Sequence, residues 1–410
     1  MRKKIHFLFF CLLITPYLHS QQKTFNFRIR TITAGVTLKN LSDTQTVIQA
    51  IRFLKHAEKE FTKAGYEVQT LRIATSNLYT YLNNHSLTTA LPFLKTFEGI
   101  ALRHGIGHFS VGQVLPAGKY QDHMGDWATA LVKSTRTINF NLSISSVKLG
   151  IHSNSIKAAA EIITSLSKLE NGEANFRFTA SANCPPNIPF FPAAFHEGVN
   201  SFAIGLESPN LLTEAFINTS AANTKQVLKA TLEKNFKPVQ QLAVQLAGVT
   251  KWKYDGIDLS PAPGLDASIG HAIETYTRQP FGSASTLGAC ALITDVIKDL
   301  DIKKCGYSGL MLPVIEDTVL ARRAAEQLYT VHELLLFSSV SGTGLDVVPI
   351  PGDTPKEVIE RILTDVAALS LKYTSKALSA RLFPIPNKKA GEWVRFDNPY
   401  LTGTIVMKVE

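Results

Sequence analysis

Apolar and polar residues alternate from Phe25 to Thr33 (FNFRIRTIT). A period of two predicts a strand and sets Arg28 and Arg30 on one face. The period then changes. Between Asp43 and Gly65 the apolar positions are Val47, Ile48, Ile51, Leu54, Ala57 and Phe61. That is the spacing of one helix face, with Ser42 or Asp43 as cap and Gly65 as stop. The two periods trade places down the chain. Strands are predicted over Tyr66 to Ile73, Gly105 to Val111, Arg136 to Ser145, Asn175 to Ser181 and Ser201 to Leu206. Further strands are predicted over Lys253 to Leu259, Leu345 to Ile350 and Ala380 to Ile385. Helices are predicted over Leu87 to Arg103, Ser155 to Leu169, Asn223 to Val249 with a bend at Pro238, Gly282 to Leu300, Glu316 to Val340 and Thr354 to Tyr373. Alternating strand and helix argues for parallel β-structure with helical crossovers. About ten strands favour a closed α/β barrel over an open sheet of that size.

The first residues follow a different pattern. Arg2, Lys3 and Lys4 precede a short apolar run from Ile5 to Ile14, Pro16 breaks it, and Leu18-His19-Ser20 precedes Gln21. That pattern predicts a signal peptide over residues 1–20 and an exported, periplasmic or secreted protein. The run is too short to span a bilayer comfortably, so no stable membrane insertion is expected after cleavage; Leu18, a poor residue three before the cut, leaves an uncleaved anchor as the alternative. Residues 21–410 are then expected to form a single domain, since no low-complexity linker or internal repeat divides them.

Without the leader, 39 basic residues stand against 33 acidic ones, with no Lys/Arg-rich run. Nucleic-acid binding needs such clustering and is not expected. Cys184, Cys290 and Cys305 are too few, and odd in number, for a disulfide framework. A small-molecule ligand is the expected partner, and self-association is compatible with the sequence.

Three stretches are dense in Pro, Gly and carboxylates: Cys184 to Gly198 (CPPNIPFFPAAFHEG), Asp255 to Pro263 (DGIDLSPAP) and Ser341 to Asp353 (SGTGLDVVPIPGD). Stiff loops that present charged groups are where sites usually sit. His196 and Glu197 form the best acid–base pair, against a reading in which they tie loop to loop. Cys184 is a candidate thiol nucleophile with His196 as base, against a buried structural thiol. Asp255 and Asp258, with help from Glu207, Asp346 or Asp353, offer oxygen ligands to a divalent metal, against simple capping. Arg28 and Arg30 are candidates to clamp an anion, against structural ion pairs. Asp346 and Asp353 are further ligand-binding candidates. Gly342 reads as a helix C-cap and Asp353 or Thr354 as an N-cap.

Read together, FRIRTITAGVTL, CPPNIPFFPAAFHEG, DGIDLSPAP, GACALITDVI, GYSGLMLPVIED, SGTGLDVVPIPGDT and FDNPYLTGT resemble the family called domain of unknown function 711. The resemblance runs from about Phe25 to the C-terminus. It implies a ten-stranded α/β barrel like that of pyruvate formate-lyase and ribonucleotide reductase, but no established reaction. Relatives in that wider fold keep a radical on a C-terminal glycine in an Arg-Val-x-Gly-Tyr context and relay it through a barrel cysteine. Gly403 lies instead in Tyr-Leu-Thr-Gly-Thr, and Ser341 stands where family members often carry Cys. No glycyl radical is therefore expected. The functional expectation is a non-radical enzyme using acid–base chemistry, with divalent-metal chemistry as an option, on a small polar or anionic metabolite. The alternative is an exported metabolite-binding protein without turnover.

Overall fold

The computed structural model describes residues 25–217, 219–372 and 376–409. Its main sheet has ten strands. They are β1 (Arg28–Val36), β2 (Leu71–Thr75), β3 (His108–Gln113), β4 (Ile138–Ser146), β5 (Gly150–Ile151), β6 (Phe178–Ala182), β7 (Ser201–Glu207), β8 (Lys253–Ala262), β9 (Gly344–Pro351) and β10 (Leu378–Ile385). The order is β8-β7-β1-β2-β3-β4-β6-β10-β9, with β5 attached to β4. A separate short ribbon pairs β11 (Trp393–Val394) with β12 (Thr404–Ile405).

The sheet is mixed, not wholly parallel as the alternation suggested. β1, β2, β3, β4 and β6 run in one direction. β7 is antiparallel to β1, and β10 is antiparallel to β6. Helical crossovers join the strands within each block, which is what parallel neighbours require. Among the described residues no continuous ladder joins the two edges, β8 and β9. Between them lies the stretch 303–314. It touches β8 through a parallel bridge of Ile257 with Lys304, and β9 through one of Pro313 with Asp346. Gly256, Gly309 and Gly342 make these approaches possible. A Cβ on Gly256 would lie 2.6 Å from the Lys303 carbonyl, and one on Gly309 would lie 2.6 Å from the Cα of Gly342. Gly342 thus serves a backbone crossing. The preceding helix already ends at Ser338, so the expected C-cap role is not found.

Local signals explain most boundaries. The helix Thr44–Lys63 begins where the Asp43 carboxylate accepts from the Thr46 N–H, and it buries Val47, Ala50, Ile51, Leu54, Ala57 and Phe61. The helix Leu87–Arg103 follows a Ser86 cap. The predicted helix from Glu316 to Val340 is two helices, Thr318–Ala325 and Val331–Ser338. Gln327 takes a positive φ of 58°, and Thr330 with Glu333 builds a capping box that restarts the spiral. Helices Met124–Ser134, Pro209–Ile217 and Ile269–Thr277 were not predicted.

The strands are buried on both faces, as the all-buried β2, β6 and β7 show. Helices cover the outside. The inside is filled by the stretch 184–197. Thr33 donates to the Pro189 carbonyl at 2.8 Å, Ser110 to Ala194 at 2.7 Å, and Asn141 to Pro192 at 3.2 Å. The His196 N–H donates to Thr75. Small residues on the strands make room for this plug. A Cβ on Gly205 would lie 2.6 Å from the Phe190 ring, and one on Gly35 would overlap the His196 ring. Full burial of a side chain such as Phe190 contributes about 2–3 kcal/mol, and the hydrogen bonds to strand side chains fix where it sits.

Candidate functional site

Residues of β1, β2, β3, β4, β6, β8, β9 and β10 all face one cavity of about 830 Å³, measured to its open mouth. A flat sheet cannot do this, so the sheet curls around it. The cavity lies at the end where β1 to β4 begin. Its floor is the tip of the plug, Phe190, Phe191, Pro192 and Ala193. Tyr400, from the C-terminal segment, stands at the mouth.

Arg72, from β2, is the most exacting group in the cavity. It is 8% exposed. Its Nε donates to Thr70 Oγ1 at 3.0 Å and its guanidinium lies 5.3 Å from the centre of the Phe191 ring. Among the described residues no carboxylate reaches ion-pair distance of it. Burial and then the nearby charge of Arg30 push its pKa down to about 9. Arg72 sits directly across from His108 of β3. Burial, Arg72 and Arg30 together push His108 down to about 3, so its imidazole is neutral near pH 7. Arg30 donates to Glu207 at 3.2 Å and to Gln69 at 3.3 Å, and lies over Tyr400.

Across the cavity, Arg381 of β10 donates Nε to Asp346 Oδ1 at 2.6 Å and Nη2 to Glu316 Oε1 at 2.7 Å. Burial raises the Asp346 carboxyl above its ordinary range, Arg381 opposes that, and Glu316 adds to it. Burial works against the charge of Arg381, but Asp346 and Glu316 hold it charged. Thr343, 2% exposed and also lining the cavity, has a hydroxyl with no hydrogen-bond partner among the described residues.

The residues singled out from the sequence are scattered. Arg30 and Asp346 line the cavity. Arg28 does not. It is consumed by Glu67 at 3.1 Å, Glu207 at 2.6 Å and Asp266 at 2.8 Å from its Nη1, which correct its role from anion clamp to a tie at the rim. Asp353 is exposed in the turn before the helix Lys356–Lys372. His196 is buried on Gly35, with Asn187 Oδ1 3.0 Å from its Nδ1 and the Gly198 carbonyl 3.3 Å from its Nε2. Burial lowers its pKa. Glu197 is exposed, so the two do not form an acid–base pair in a shared pocket. Cys184 donates to the Leu378 carbonyl at 3.2 Å and approaches Tyr307, not His196. Burial pushes its thiol up to about 12, the reverse of an activated nucleophile.

Asp255 and Asp258 also go separate ways. Asp255 accepts from Ser201 and pairs with Lys253 at 2.9 Å. Asp258 is fully buried. It accepts from the backbone N–H of Ser260 (3.1 Å), Tyr307 (2.8 Å) and Ser308 (2.9 Å), and from the Ser260 hydroxyl (2.7 Å). Its lone pairs fasten the 303–314 stretch to β8. Among the described residues no group of three or more His, Cys, Asp or Glu side chains could hold a metal ion. Among them, too, no helix is long and apolar enough to cross a membrane.

The sequence reading missed Arg72, His108, Glu316, Arg381 and Thr343. The available signal was a lone charged residue inside an otherwise apolar strand, as in LRIAT and RLFPI. A buried charge of that kind must be paired or functional.

The family model "Uncharacterised ACR (DUF711)" matches residues 22–397. Among similar proteins, a UPF0210 protein of Pyrobaculum islandicum is 28% identical over 379 residues, covering 88% of this chain and 83% of that one. A UPF0210 protein of Carboxydothermus hydrogenoformans is 25% identical over 413 residues, covering 94% and 91%. One from Limosilactobacillus reuteri is 25% identical over 400 residues, covering 90% and 88%. These matches come from diverse prokaryotes and bring no evidence of a signal peptide, which withdraws that expectation. Residues 1–20, on which that expectation fell, lie outside the described ones.

Proposed function

The chain belongs to the uncharacterised DUF711 family, and we propose that its cavity binds a small carboxylate metabolite and acts on it by acid–base chemistry. One observation carries this reading: Arg72 is a buried guanidinium without a carboxylate at ion-pair distance among the described residues, and it lines a cavity. Proteins rarely bury a charge unpaired, because desolvation costs several kcal/mol. An arginine presents a fork of donors that matches a carboxylate. A ligand anion at Arg72 and Arg30 supplies the missing partner.

His108 is the candidate acid–base group. Burial depresses it most, and the two positive charges that add to this are the ones an anion neutralises. Its pKa therefore rises when the ligand binds, toward the range where it can take a proton. For the scaffold we adopt a single barrel in which the stretch 303–314 acts as the closing stave between β8 and β9. The backbone bonds of Cys305 to Ile257, Gly342 to Leu310 and Val314 to Asp346 support that closure.

The test is calorimetric titration with a panel of small carboxylates, for the wild type and for Arg72→Met. At least one member should bind, and at least tenfold more weakly to the variant. Solvent-deuterium exchange into the bound compound, followed by NMR, should occur in the wild type and vanish in His108→Ala. Equal binding by wild type and Arg72→Met would overturn the proposal.

A further inference from the structure

The cavity holds a second pole of charge, opposite in sign to Arg72. Glu316 and Asp346 share one guanidinium, that of Arg381. Each gives it one oxygen. Among the described residues, Glu316 Oε2 and Asp346 Oδ2 have no donor. Their side chains are 13% and 10% exposed. Two carboxylates against one guanidinium leave a negative charge uncompensated. In water that imbalance costs little, but in a nearly buried site it is expensive. Burial, with the charge of Glu316 added to it, pushes Asp346 upward even with Arg381 beside it.

Arg72 is the mirror image: a cation lacking an anion, with its charged form disfavoured in turn. Both poles line one cavity, and the Thr343 hydroxyl, without a hydrogen-bond partner among the described residues, lies in its wall. Glu316 offsets part of the push on Arg72, but among the described residues no ion pair within 4.0 Å joins the two. Phe176, Phe190 and Phe191 supply apolar wall in the same cavity.

We propose that the ligand is a zwitterion, a small amino acid or other amino carboxylate, with its carboxylate on Arg72 and its ammonium on the free oxygens of Glu316 and Asp346. A dicarboxylate would bring its second charge against that acidic pole. A simple fatty acid would leave the pole uncompensated. The inference rests on the carboxylate reading of Arg72 and adds the cationic half of the ligand.

The experiment uses matched pairs at pH 7.5: phenylalanine with 3-phenylpropionate, leucine with 4-methylpentanoate, and 5-aminopentanoate with pentanoate. Each is titrated calorimetrically into the wild type, Glu316→Gln and Asp346→Asn. At least one amino acid should bind the wild type tenfold or more tightly than its desamino partner. In each variant that preference should fall to threefold or less. Desamino acids that bind as well as the amino acids would overturn the zwitterion and leave the carboxylate site standing. A preference that survives in both variants would overturn the assignment of the ammonium to this pole. No binding by either set would remove the carboxylate reading as well.

Discussion

Replacing Arg72 by Met should make the unliganded protein more stable while it destroys ligand binding. Burial and Arg30 take the guanidinium from the ordinary arginine range to about 9. At 1.36 kcal/mol per pH unit, the charged form is disfavoured by about 5 kcal/mol. Methionine keeps much of the unbranched stem against Phe191 and removes the charge. It loses one hydrogen bond to Thr70, about 1 kcal/mol, and the contact of the cation with the Phe191 ring, also about 1 kcal/mol. The net gain is about 1–3 kcal/mol, within the range found when buried ions give way to apolar side chains. Urea unfolding at pH 7.5 without ligand should show a higher midpoint and an unchanged slope, the signature of altered stability alone. A bound carboxylate should raise the wild-type midpoint and leave that of the variant in place. A variant less stable than wild type by more than 1 kcal/mol would refute the reasoning. The guanidinium would then be compensated in the folded protein, and the case for an anion there would lose its premise.

Three further outcomes follow from the same geometry. Asp258→Asn puts an amide donor in place of one carboxylate oxygen that accepts from Ser308 or Tyr307, and should cost about 2–4 kcal/mol in urea unfolding. Mg²⁺ and Mn²⁺ should move the melting temperature of neither protein, whereas a metal-dependent rise confined to wild type would restore Asp258 as a ligand. Gly35→Ala would force a methyl into the His196 ring and should cost about 1–3 kcal/mol; unchanged stability would mean that the plug is loosely seated. His108 is lowered in the folded protein to about 3, so the unfolded chain binds its proton first as pH falls. Its contribution is full above the unfolded value near 6.5 and is lost as pH drops toward 3, on the order of 3 kcal/mol after screening. The pH dependence of urea stability between 4 and 6 should be flatter in His108→Gln, and an identical slope would contradict a depressed imidazole.

What could be read from the sequence divides along one physical line. Period and capping are local, so the helix after Asp43, the cap at Ser86 and the cores of most strands were legible. The direction of the strands was not, because the antiparallel junctions β1/β7 and β6/β10 are set by long-range pairing. The site was misread for a related reason. Pro and Gly in CPPNIPFFPAAFHEG predict a rigid platform for His196 and Glu197. They instead shape a plug inside the sheet, where space is short enough to demand Gly35 and Gly205 opposite its side chains. Once a loop fills the interior, strand residues that face inward become scarce and costly, and any charge among them needs a reason. Arg72, His108 and Arg381 stand in β2, β3 and β10, where a soluble protein otherwise places apolar or small side chains. Arg381 is explained by Glu316 and Asp346. Arg72 has no ion-pair partner among the described residues, and that remainder, rather than any loop motif, is what a ligand must supply.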